Sequence, residues 1–327
     1  TSSFLPPRLG VFAVKKALRC LQLAVLLIPL LLLPMRSAAQ IPPDERWQTL
    51  DTPHFRVTFG PGLEALARQT ASRAEWAHEQ LREGLTDPPG GKIEVVLTDA
   101  VDYANGMATP FPTNRITLYA QPPTDVAELA FTADWLELLV LHELVHIFHL
   151  DDAGGAWGAL RNLFGRNALL FPHAQSPGWL IEGLATYYES ALTPGGRVRG
   201  TLYDMVLRTA ALDGRLFTID RASGDPRSWP AGATRYIYGA FFLDHLTRKH
   251  GAEALPRFLS LYGGQVLRYG LDYAAQRSWD ESFSREWTLW TDSLRRHYGA
   301  LVDSLGRERI ITRPEILTAA GRDAHHP

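Results

Sequence analysis

The segment from Trp135 to Phe148, WLELLVLHELVHIF, is the strongest constraint on what this chain can fold into. Trp135, Leu136, Leu138, Leu139, Leu141, Leu144, Val145, Ile147 and Phe148 cover every side of the helix that such a run predicts, so the helix has to be buried all round. Yet it carries His142, Glu143 and His146. Two imidazoles and a carboxylate in an apolar interior are costly unless they are paired or hold a cation. The spacing gives them a purpose: positions four apart lie about 40° apart around a helix, so both imidazoles reach one metal ion, with Glu143 beside them.

The His-Glu-x-x-His pattern is only moderately specific, and a second element decides the reading. Trp179 to Glu189, WLIEGLATYYE, begins another apolar helix with a lone carboxylate, Glu182, near its start. Glu182 fits a third ligand, and two His with one carboxylate leave a fourth zinc position open to water, the catalytic rather than the structural arrangement. Glu189, two turns on, either orients a ligand imidazole or lies on a solvated helix face. His149 would compete with Glu182 for the same place and is read as structural or supporting. A metzincin is excluded, because the glycine and third histidine that it needs are replaced by His149 and Asp152.

These two motifs, with Pro177-Gly178-Trp179 leading into Glu182-Gly183-x-Ala185-x-Tyr187, resemble the gluzincin zinc metallopeptidases, specifically the zinc aminopeptidase branch and its exported peptidase MA-like relatives. The resemblance implies an α+β, thermolysin-like fold, a small mixed sheet with an edge strand followed by a mainly helical subdomain. It implies one zinc ion per chain on His142, His146 and Glu182, with Glu143 as general base in hydrolysing a peptide or protein substrate. Tyr236 to Leu243, YIYGAFFL, resembles the aminopeptidase segment Tyr-x-x-Gly-Ala, whose tyrosine donates to the oxyanion; this gives the role to Tyr236 and not to Tyr238. The other reading makes both core tyrosines of an amphipathic helix.

The chain also departs from that family. The 35 residues between His146 and Glu182, rich in glycine and aromatics, form an insertion expected to shape the cleft. No Gly-x-Met-x-Asn element precedes the zinc helix, so endopeptidase and aminopeptidase action both stay open. In the exported relatives such a domain often precedes a TolB-like β-propeller, and the tail at 306–327 is expected to open its first blade. A reading from another class is a non-catalytic zinc-binding scaffold that serves this propeller; an intact Glu143 argues against it.

The rest of the chain frames these motifs. Residues 1–39 read as a signal peptide, with Lys15, Lys16 and Arg19 before an apolar run from Leu21 to Leu33 and Ser37-Ala38-Ala39 for cleavage. Export to the periplasm or the medium follows, with no stable membrane insertion after cleavage. Cys20 is the only cysteine, so the mature chain has neither disulfides nor thiolate metal sites. Removing residues 1–39 leaves 28 basic side chains against 35 acidic ones, which makes nucleic acid a poor partner. Oligomeric state has no signature.

Residues 40–131 read as an α/β subdomain: strands at 47–50, 54–59 and 93–97, a helix from Leu63 to Leu85, a loop at 103–113, and a strand at Arg115–Tyr119. The prolines at 122 and 123 suggest that this last strand is the edge that pairs with substrate. Residues 132–192 hold the zinc helices, with a loop near 151–177, and 193–305 form a helical subdomain.

Overall fold

Alternation predicts the strands, and their inward residues build the core. The computed structural model describes residues 45–123, 134–266, 270–308 and 315. The expected segment 1–39 lies outside them, as does the expected tail 306–327 apart from 306–308, which end the last helix, and Glu315. Strands β1 (Gln48–Asp51), β2 (Phe55–Phe59), β3 (Ile93–Thr98), β4 (Gly106–Thr109) and β5 (Arg115–Tyr119) form one sheet in the order β1-β2-β3-β5-β4. The outer pairs β1/β2 and β4/β5 are antiparallel, and the inner pairs β2/β3 and β3/β5 are parallel. Phe55, Val57 and Phe59 of β2 and Ile93, Val95 and Leu97 of β3 are buried.

Two expectations are corrected here. Arg115–Tyr119 is an interior strand, because the prolines fall beyond its end and leave every ladder group free to pair. The edge is β4, which lies within the expected loop 103–113. Its Gly-Met-Ala-Thr sequence has little strand preference, and its pairing with β5 holds it in place.

Helix α1 (Glu64–Gly84) connects β2 to β3 and packs on β2 through a small-residue stripe, Ala67, Ala71, Ala74 and Ala77. Helix α2 (Trp135–Asp151) lies against α1, β4 and β5. The Asp134 side chain caps it by accepting from Glu137 N at 3.1 Å and is held by Arg73 Nη2 at 2.7 Å. From there on the described chain is helical: α3 (Gly155–Phe164), α4 (Gly178–Leu192), α5 (Thr201–Leu212), the short α6 (Ile219–Ala222), α7 (Thr234–His250), α8 (Ala254–Gly263), α9 (Leu271–Trp279) and α10 (Phe283–Glu308). The α+β class read from the sequence is thus the class observed. The expected loop at 151–177 is corrected as well, since α3 occupies part of it.

Helices α4 and α7 pack more extensively than any other helix pair among the described residues. The contact is glycine on glycine: a Cβ on Gly183 would come within 2.5 Å of the Gly239 backbone, and one on Gly239 would overlap the Trp179 carbonyl oxygen. Around this crossing Trp179, Phe242, Phe283, Trp287 and Trp290 form an aromatic cluster with ring centroids 4.8–6.1 Å apart.

Candidate metal centre and catalytic cleft

Helix α2 presents His142 and His146 one turn apart, and α4 brings Glu182 to them from its second turn. The two Nε2 atoms are 3.2 Å apart, and Glu182 Oε2 stands 3.3 Å from that of His146 and 3.6 Å from that of His142. Ligands at the corners of a tetrahedral zinc site, with bonds of about 2.0–2.1 Å, are separated by about 3.3–3.4 Å. The donor atoms therefore already have the spacing of a metal site, and this group can hold one metal ion. Two imidazoles and one carboxylate are the donor set of catalytic zinc.

Electrostatics agree with the geometry. Burial pulls the His142 imidazole down, but contacts with Glu182 and Glu189 outweigh it and push its pKa up to about 9. Burial raises the Glu182 carboxyl, and the two imidazoles overcome this to hold it well below the usual carboxylate range. The site thus favours a positive charge between these three groups, where a cation would sit. Glu143, 5% exposed, is shifted the other way: burial raises its carboxyl above the ordinary value and outweighs the neighbouring imidazoles.

The remaining sequence-predicted residues fall as follows. Glu189 is fully buried and accepts a hydrogen bond from His142 Nδ1 at 2.7 Å, which fixes the tautomer that leaves Nε2 free for a metal. Tyr236, on the first turn of α7, lines the cleft and stacks on His142 with ring centroids 6.2 Å apart. Its phenol is raised well above 10 by burial and by Glu182, so it stays protonated. Tyr238 faces the opposite way into the core, where its hydroxyl accepts from Phe217 N at 3.3 Å. His149 is fully buried away from the three ligand atoms and packs on His173; burial holds it well below its ordinary pKa, hence neutral.

Arg197 was not among the sequence candidates. It lies on the turn after α4, is buried, and ion-pairs with Glu189 through both guanidinium arms. Its Cζ sits 5.1 Å over the Tyr236 ring, so one cation ties the ligand-orienting carboxylate to the tyrosine across the cleft. The turn needs the preceding glycine: Gly196 has φ +89°, and a Cβ there would collide with Ser190 Oγ. The signal in the sequence was the Arg that directly follows Gly195-Gly196, eight residues after Glu189.

The cleft encloses about 410 Å³ and runs between α2 on its floor, β4 on one side, and Ile181 of α4, Tyr236 and the Gly232-Ala233 turn on the other. Gly106 of β4 lies so close to the floor that a Cβ there would come within 2.7 Å of Glu143 Oε1. Of the 35 residues between His146 and Glu182, Leu150 and Ile181 line this cleft, so the stretch reaches it at its two ends and none of 151–180 does. Arg161 and Arg166 draw the stretch instead onto Asp151, at 3.0 and 2.8 Å, at the far end of α2.

No protein-family model matches this chain, and no curated protein matches it either. Solved structures align with it at low identity. Leukotriene A4 hydrolase from Saccharomyces cerevisiae is 14% identical over 82% of this chain and 40% of that one, with a TM-score of 0.41. An M1 zinc metallopeptidase from Deinococcus radiodurans is 19% identical over 75% of this chain and 51% of that one, with a TM-score of 0.41. The chain thus spans about half the length of these proteins or less.

Proposed function

We propose that this chain is an exported zinc-dependent peptidase, with zinc held by His142, His146 and Glu182. One observation carries the reading: the three donor atoms, a buried carboxylate with raised proton affinity and a protonated phenol all face one cleft beside a sheet edge. A zinc ion in such a donor set supplies Lewis acidity, lowering the pKa of a water and polarising a carbonyl.

The chain's own residues do the rest. An extended peptide lies along β4, whose second edge is free of strand partners among the described residues, and main-chain pairing there aligns the scissile bond. Glu143 takes a proton from the attacking water and delivers it to the leaving amine; its raised proton affinity brings it nearer the working pH of a base. Tyr236 donates its hydroxyl to the carbonyl oxygen as negative charge gathers there. Glu189 and Arg197 hold His142 and Tyr236 in place. Export rests on the basic, apolar and small-residue order of residues 1–39.

The test is cleavage of a generic peptide library by the wild type and Glu143→Gln, with zinc content measured in both. The expected result is chelator-sensitive cleavage by the wild type, and a variant that binds zinc at near stoichiometry without turnover. Wild-type turnover in the variant would refute Glu143 as base; zinc binding without cleavage in the wild type would make the chain a scaffold. Blocking the substrate amino terminus separates endopeptidase from aminopeptidase action.

A further inference from the structure

Helix α3 is amphipathic the wrong way round. Ala156, Ala159, Leu160, Leu163 and Phe164 recur at i, i+3, i+4, i+7 and i+8, which is the pattern of a face turned to the core. All five are exposed, Leu163 at 74% and Phe164 at 69%. The side turned inward carries Arg161, which donates to the Leu170 carbonyl at 2.8 Å and to that of Asp151 at 2.6 Å and stacks over Phe171 at 4.1 Å. This cation fixes the helix with its apolar face in water. Scattered apolar residues on a surface need no explanation, but a contiguous helix face of this kind marks a binding surface.

Charge identifies the occupant. The mature chain carries an excess of acidic groups, yet from Ala153 to Ile181 there is no Asp or Glu, while Arg161 and Arg166 fall within that stretch. The carboxylates that face them are Asp151, which is buried, and Asp152, while Arg166 itself is exposed. Asn162, Gly165, Arg166 and Asn167 form a polar, cationic border at the end of the helix. An apolar stripe with a cation at its border and no acidic side chain along it, on a molecule that is otherwise acidic, is complementary to acyl chains beneath anionic headgroups. With ten residues α3 is about 15 Å long, far short of a span, so it would lie in the plane of the surface. Among the described residues no helix is long and apolar enough to cross a membrane.

We propose that α3 docks the protein peripherally on an anionic lipid surface, with Leu160, Leu163 and Phe164 entering the acyl boundary. The proposal does not depend on the peptidase reading. It is tested in the full chain carrying Cys20→Ser and Leu163→Cys, with an environment-sensitive fluorophore on the new thiol, so that the readout is local to α3 even if residues 1–39 attach to lipid. A second sample carries the label at Leu212→Cys on α5.

Vesicles of phosphatidylcholine with phosphatidylglycerol should blue-shift the label at 163, and brominated acyl chains should quench it. The label at 212 should stay in water. Adding Leu160→Gln and Phe164→Gln should weaken the response about tenfold or more, since each removes apolar area that would enter the lipid. Their exposure keeps the fold intact, which an unchanged melting temperature checks. A label at 163 that stays in water with anionic vesicles overturns the proposal. So does an equal response to phosphatidylcholine alone, or a vesicle-free shift that grows with protein concentration and accompanies a doubled mass, which would make the occupant a second copy.

Discussion

Replacing Arg197 by Met tests the most deeply buried ionic contact of the site without recourse to catalysis. Glu189 has no exposed surface, and Arg197 is its only guanidinium partner among the described residues. Removing the guanidinium leaves Glu189 with His142 alone, and breaking a buried pair on one side costs about 3–5 kcal/mol. At about 2–4 °C per kcal/mol for a domain of this size, the variant should melt roughly 6–20 °C below the wild type. The comparison is made with chelator present, since bound metal would add its own stabilisation. Glu189→Gln added to Arg197→Met removes the stranded charge while keeping an oxygen for His142, so the double variant should recover a coupling energy of about 2–3 kcal/mol.

The pH dependence has a definite sign. Burial raises the Glu189 carboxyl, and Arg197 and His142 overcome it, so its pKa in the folded state lies below the ordinary 4.5. Stability from this pair is therefore complete above that ordinary value and is lost as the pH falls through the lower folded one. Arg197→Met should flatten this acid limb. A variant that melts within about 2 °C of the wild type, or single effects that simply add, would refute the pairing argument.

Other outcomes follow from the same geometry. Glu182→Ala should lose zinc by equilibrium dialysis, because one of three donors disappears; undiminished affinity would show that another group closes the site. Tyr236→Phe should cut turnover about tenfold or more with zinc content and melting temperature little changed, while Tyr238→Phe, deep in the core, should leave the catalytic step alone. Gly106→Ala puts a methyl against Glu143 at 2.7 Å and should lower turnover at least about tenfold while zinc stays bound, since a 1 Å misplacement can cost 10²-fold; full activity would show that β4 yields freely.

How far the sequence carried these results depends on whether the deciding physics was local. The apolar runs around His142 and Glu182 predict buried helices because no other placement pays for so much hydrocarbon in water, and those helices appear where expected. The β4 strand was missed because Gly106, Met107, Ala108 and Thr109 have no strand pattern of their own and are held by the partner strand β5. Arg197 was missed because its value lies in a turn that folds it back onto Glu189. Helix α3 was read as part of a loop, since its glycines mask an apolar period whose direction is set by the reach of Arg161 to Asp151 on the preceding helix.

The Gly183 and Gly239 crossing divides the cleft into a hard wall and a soft one. Glu182 sits next to one of these glycines and Tyr236 one turn before the other, on helices whose backbones touch with no side chain between them. Exchange of side chains in the core thus cannot adjust the distance between ligand and phenol, because the crossing holds none to exchange. The parts of the lining outside these two helices, the short β4 and the Gly232-Ala233 turn, have no such clamp. Variants selected for new substrates should therefore accumulate changes along 105–109 and 228–233, while the α4–α7 seam tolerates almost none.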